Sequence, residues 1–319
     1  MSCDSSMFLS GRMWRGAPSA AWPSTTGRVK RSDPEAEVSM ESLKWEDIAA
    51  GKFADAIRKS RGVCILPLGC LEKHGAHLPV GTDLFQIRAV AEAAVAIEPA
   101  VIFPPYYLTQ VQCAKHQPGA VALPGRLITE LLEGVCEEIA RNGFRKIILL
   151  NGHGGNEAWL GYAAWMMAHE RHRDFTVYLA RLSDFYWANA RRYAKLRQDD
   201  GDDHGGEAET SLMLAIRPDL VRMADADPAG RARRRLKRLP LCSPHRWYAD
   251  YPEHYAGDGR YGSAGKGKAK LADCASNVAA IIRAVKRDTV APRLREDFLR
   301  RSRHPAKRRQ RHNTKTRRG

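Results

Sequence analysis

The chain has 319 residues, enough for one large domain or two small ones, and its 44% apolar content is that of an ordinary globular protein with a substantial core. No apolar run approaches the roughly eighteen residues of a membrane-spanning helix, so a membrane partner is not expected. The formal charge of +16 is uneven: residues 300–319 hold ten Lys or Arg and no acid, which leaves +6 on the rest.

Residues 1–39 are rich in Ser, Pro and Arg, without helical or strand periodicity, and read as a disordered extension; Met40 is a candidate start of translation. The globular pattern is expected over residues 40–290, followed by a basic disordered tail, 291–319. Seven scattered cysteines with no Cys-x-x-Cys pair argue against a disulfide framework and for a reducing, cytoplasmic compartment.

Within the globular part, Trp45–Lys59 has apolar residues at helical spacing and predicts an amphipathic helix. Val63–Leu66 is a buried strand delivering Pro67–Asp83, a loop broken by Gly and Pro that packs Glu72, His74, His77 and Asp83 into a short span. Glu72 and His74 stand two apart, so extended backbone turns both to one face. Imidazole and carboxylate together are the donors that zinc and similar cations take, and an aspartate with two oxygens can bridge a pair of ions.

A nearly all-apolar helix is predicted over Leu84–Ile97, then a short strand Val101–Pro104 and a loop carrying His116, for which surface and functional roles stay balanced. Pro124–Arg141 predicts a helix closed by Asn142-Gly143. Ile147–Leu150 is a continuous apolar run of the central parallel-strand kind, and its carboxyl end runs into Asn151-Gly152-His153, where open α/β sheets bind ligands. A helix from Glu157 to about His172, with His169 and His172 solvated, precedes a strand at Thr176–Ala180 and a helix at Phe185–Leu196. The acids around His204, from Asp200 to Glu209, open a helix that runs through Ile216; carboxylates there are equally explained by the helix dipole. Trp247, Tyr248, Tyr251 and Tyr255 form an aromatic cluster suited to a pocket wall or a subunit contact, and Lys268–Arg287 is a last amphipathic helix. Alternating strands and helices imply a single-domain, three-layer α/β/α sandwich with a mostly parallel sheet.

Three segments together resemble the creatininase family of metal-dependent amidohydrolases, over about Trp45 to Lys286. They are Glu72-x-His74 with its following Gly-x-His-Leu-Pro-Val-Gly-Thr-Asp83, Asn151-Gly-His153-Gly-Gly-Asn156, and His204-Gly-Gly-Glu207-Ala-Glu209-Thr-Ser211. The resemblance implies two divalent ions, zinc first with manganese or iron(II) as alternatives, sharing Asp83. Glu72 and His74 become ligands to different ions, His153 a further ligand, and His204 the proton donor to the leaving nitrogen. A metal-bound hydroxide then hydrolyses a C–N bond of a small cyclic amide or formamide. Creatininase itself has a glutamate ligand where this chain has Gly155; Glu209 is assigned in its place, with Glu207 as the alternative. It also carries a tryptophan where this chain has Asp200–Asp203, which implies a substrate other than creatinine; the loop His116–Ala120 matches the family's substrate-side Gly-rich segment only partly, since members more often have Thr at Ala120. The resemblance further implies a homo-oligomer, often a hexamer. The rival readings are a nucleic-acid-binding protein acting through the basic tail, and an inactive member that keeps the fold.

Overall fold

The computed structural model describes residues 42–170, 173–228, 230–303 and 305. The extension at 1–39, Met40, His172 and the tail beyond 305 lie outside the described residues.

Four strands form one parallel sheet in the order β2-β1-β3-β4: β1 Val63–Leu68, β2 Val101–Ile102, β3 Lys146–Asn151 and β4 Thr176–Ala180. β1 and the last five residues of β3 are buried without alternation because helices cover both faces. On one face Val63, Ile65, Ile148 and Leu150 pack against α2 (Thr82–Ile97), α6 (Glu207–Ile216) and α8 (Ala264–Arg287). On the other, Cys64, Leu66, Ile147 and Leu149 meet α1 (Phe53–Lys59), α3 (Gly125–Arg141) and α4 (Glu157–His169). The three-layer α/β/α sandwich follows directly. The chain leaves β1 toward β2 and returns to place β3 on β1's other side, so the strand order reverses between β1 and β3. That switch point opens a crevice at the carboxyl ends of both strands.

Three predicted elements differ. Trp45–Lys59 is not one helix: 3-10 turns at Trp45–Asp47 and Ala50–Lys52 precede α1. Trp45 instead packs its ring edge-on against Phe53 and Phe103, at 5.0 and 5.2 Å. Phe185–Leu196 is also not a helix; it becomes α5 (Leu182–Phe185), a loop and a 3-10 turn at Tyr193–Lys195. Its carbonyls are committed elsewhere, since Asn277 Nδ2 donates to Phe185 O and Ala188 O and Lys270 Nζ donates to Tyr186 O. Finally, the predicted tail starts too early: after α7 (Arg246–Asp250) and α8 comes α9, Val290–Ser302, with Leu299 buried and Phe298 set edge-on to His169 at 4.7 Å. His169 therefore packs on α9 instead of standing free in solvent.

The Lys270 ammonium is fully buried, 3.6 Å from the Tyr186 ring centre and 4.2 Å from that of Trp187. Burial pulls it from 10.5 to about 8, a shift on the order of 3 kcal/mol. Below pH 8 both folded and unfolded chains carry the charge and the full cost is present; between pH 8 and 10.5 only the unfolded chain keeps the proton, so stability rises with pH. Urea unfolding should show this rise in the parent protein and not in Lys270→Met.

Candidate metal centre

Each donor is placed by an element end at the switch point. Glu72 and His74 sit in the irregular segment after β1; Asp83 is the second residue of α2; His153 follows β3; Glu209 is the third residue of α6. All but Glu209 are at most 5% exposed. The positive ends of α2 and α6 favour the two carboxylates they carry. Gly205 precedes α6 with φ +70°, and a Cβ there would meet the His74 carbonyl carbon at 3.0 Å, so glycine is what lets the His204 segment lie against the His74 loop.

The geometry is two triads with one shared member. Asp83 Oδ1 lies 2.9 Å from His74 Nε2, which is itself 3.6 Å from Glu209 Oε2. Asp83 Oδ2 lies 3.0 Å from His153 Nδ1, which is 2.9 Å from Glu72 Oε1. Glu72 and His74 thus fall to different triads. Buried Glu72 Oε1 lacks a partner in hydrogen-bond geometry in spite of that short approach, and His153 Nε2 has none either. His74 Nδ1 contacts the Glu72 carbonyl at 3.2 Å; a carbonyl only accepts, so Nδ1 carries the proton and Nε2 is oriented toward the carboxylates.

The protonation pattern tells the same story. Burial opposes charge on His74, yet Asp83 and Glu209 raise it to about 10, and His153 is likewise raised against burial by Cys70 and Glu72. Glu72 and Asp83 are held low against burial, mainly by His153 and His74 respectively. Glu209 is pushed up to about 8 by burial. The site therefore stabilises positive charge at two points, each between a pair of carboxylates, and donor chemistry, burial and unpartnered atoms all fit a pair of divalent cations. Cys70 Sγ, 3.2 Å from Asp83 Oδ2, adds a soft donor on the Glu72 side.

His204 lies over His74, ring centres 4.1 Å apart, and its Nε2 donates to the Lys73 carbonyl at 2.8 Å. That bond fixes the tautomer and leaves Nδ1 as a bare acceptor 3.9 Å from Glu72 Oε1. Burial, with His74 adjacent, lowers His204 to about 3, so the ring is neutral.

Other sequence candidates fall outside the triads. Glu207 is fully buried and takes the N–H groups of Gln198 and Asp199 and the Lys266 ammonium. His77 Nε2 pairs with Thr210 Oγ1 at 2.8 Å, bracing the loop against α6. His116 is exposed and donates to Pro252 O. A Cβ at Gly155 would stand 2.4 Å from His153 Nε2, so the backbone has closed over the place where a side chain would project. Trp247, expected in a pocket wall or a subunit contact, lines the cavity and brings its indole edge-on to His204 at 5.5 Å. One participant was missed. His254 Nε2 comes 3.3 Å from Glu72 Oε2, with no local pattern to announce it.

The family model for creatininase, described as creatinine amidohydrolase, matches residues 43–282. The chain belongs to the creatininase family. A creatinine amidohydrolase from Pseudomonas putida is 31% identical over 208 residues, covering 59% of the chain and 76% of the relative. A mycofactocin precursor peptide peptidase from Mycolicibacterium smegmatis is 32% identical over 49% of the chain and 59% of the relative. A 3-dehydro-scyllo-inosose hydrolase from Thermotoga maritima is 28% identical over 54% and 57%. Among solved structures, a mutant creatininase of Zn–Zn type superposes with a TM-score of 0.64 at 25% identity, covering 77% of this chain and 99% of that one. A manganese form of creatininase gives 0.63 at 25% identity and covers 77% and 100%. The three sequence relatives are all named as hydrolases, and no described helix of this creatininase-family chain is long and apolar enough to cross a membrane.

Proposed function

We propose that this chain is a metal-dependent amidohydrolase that cleaves a C–N bond of a small cyclic amide or formamide, with a substrate other than creatinine. The observation that carries the reading is the division of Asp83: one oxygen faces His74 and the other faces His153, as a bridge between two cations requires. His74, Asp83 and Glu209 would hold one ion, and Glu72, Asp83 and His153 the other. When bound, the ions supply Lewis acidity and lower the pKa of a water at the site.

The remaining chemistry belongs to side chains on the page. His204 Nδ1 accepts a proton from the attacking water and returns it to the leaving nitrogen, a cycle that the Nε2–H bond to Lys73 O keeps in one tautomer. Trp247, Phe185 and Ile87 line a cavity of about 300 Å³ with these residues and limit water access. That volume stands at the lower end of ligand pockets and suits a small substrate. A homo-oligomer and a cytoplasmic setting complete the proposal.

The test is metal analysis of purified protein, followed by a screen of creatinine, hydantoin-like rings, formamides and short peptides. Protein without bound metal and without turnover of any amide defeats the reading. Glu209→Ala is expected to bind one ion fewer than the parent, because it strips the His74 triad and leaves the His153 triad whole; a metal content equal to the parent's would reassign the ligand.

A further inference from the structure

Beyond the two triads, the structure brings two donors that the chemistry above does not use, His254 and Cys113, to the free side of Glu72. His254 is 1% exposed, yet neither ring nitrogen has a hydrogen-bond partner. Its backbone is in the left-handed region at φ +54°, a conformation that costs a non-glycine residue free energy. Its carbonyl accepts from Gly75 N at 3.1 Å and its N–H donates to Tyr251 O at 3.1 Å, so the residue is fixed to the loop that carries His74. His116, His204 and Trp247 hold the imidazole edge-on, with ring centres at 5.6, 5.2 and 5.9 Å. A buried imidazole held this firmly, in strained backbone and without a partner, is prepared for something outside the protein.

What it faces is a thiol and a carboxylate. Donor atoms of Glu72, Cys113 and His254 all lie within 4.8 Å of one another, and Cys113 and His254 both line the cavity. His254 Nε2 stands 3.3 Å from Glu72 Oε2 without hydrogen-bond geometry. Two donors each about 2.05 Å from a tetrahedral zinc ion are themselves about 3.3 Å apart. Glu72 uses Oε1 toward His153 and Oε2 toward His254, so it can serve a second cation as Asp83 does.

We propose that Glu72, Cys113 and His254 form a third cation site, selective for a thiophilic divalent metal of the zinc class. Imidazole, thiolate and carboxylate supply three ligands, and the open cavity leaves the fourth position to solvent. Coordination takes the proton from the Cys113 thiol and releases it to water, one proton per ion bound. The inference rests on the reading of the two triads for Glu72, which it shares with one of them, and for the count against which the extra ion is measured.

The experiment saturates the full-length protein with zinc, removes unbound metal and counts ions per chain by mass spectrometry. Three ions are expected for the parent and two for Cys113→Ser and for His254→Gln, with circular dichroism checking that each variant is folded. Replacing zinc with cobalt(II) adds a second readout, a thiolate-to-cobalt charge-transfer band that disappears in Cys113→Ser and persists in Cys70→Ser. A parent that saturates at two ions, or a band that follows Cys70 in place of Cys113, overturns the third site and leaves the two triads standing. A parent that binds no ion overturns both.

Discussion

Asp83→Ala is expected to lose both cations together and to lower turnover by more than about 10⁴-fold, since hydrolysis at neutral pH relies on lowering the pKa of water from roughly 16 to roughly 7. The reason is geometric. Every other ligand serves one triad around this residue, but Asp83 presents Oδ1 to His74 and Oδ2 to His153, so a single truncation opens both. It also removes the carboxylate that pairs with two buried imidazoles, and Asp83→Asn is the companion variant that keeps the volume while removing the charge. Metal analysis and turnover on the same preparations check the result: the two variants should agree in metal content, each two ions below the parent, and a content equal to the parent's in Asp83→Asn would show that the carboxylate is not the bridge.

His204→Ala should leave the metal content at that of the parent and lower kcat by about 10²- to 10⁴-fold, the range for loss of a general acid–base group. The ring lies on His74 but contributes to neither of the triads that share Asp83, and its only fixed bond is to a backbone carbonyl. The discriminating measurement is the pH profile of kcat: the parent should show a limb from proton transfer at Nδ1, and the variant should be flat where that limb stood. A variant that loses metal in proportion to activity would make His204 a ligand, a role its 3.9 Å approach to Glu72 would then have to explain.

Much of this centre can be read from the sequence because its donors lie at the ends of strongly patterned elements. Ile147–Leu150 is a buried run whose terminus delivers His153, and Val63–Leu66 does the same for the Glu72 loop; both faces of the sheet are covered, so apolar continuity and position coincide. Spacing does not separate Glu207 from Glu209, since both stand in the first turn of α6; in the fold Lys266 and two backbone N–H groups take Glu207, while Glu209 Oε2 lies 3.6 Å from His74 Nε2. Phe185–Leu196 misled for a different reason. Its aromatic residues look helical in isolation, but Lys270 and Asn277 of α8 draw its carbonyls out of any helical ladder, and such tertiary competition leaves no trace in local periodicity. α9 was hidden by composition, its Leu294, Phe298 and Leu299 being dispersed among arginines. His254 had no pattern at all, because a lone histidine between Tyr251 and Tyr255 acquires meaning only when the chain folds it onto Glu72.

The two triads draw on unequal lengths of polypeptide. Glu72, Asp83 and His153 are all present once synthesis has passed β3, whereas His74 and Asp83 must wait for Glu209 at the start of α6. The residues of one trio are thus all encoded ahead of α4, so a chain cut short before α6 would keep every member of that trio and lose the third member of the other.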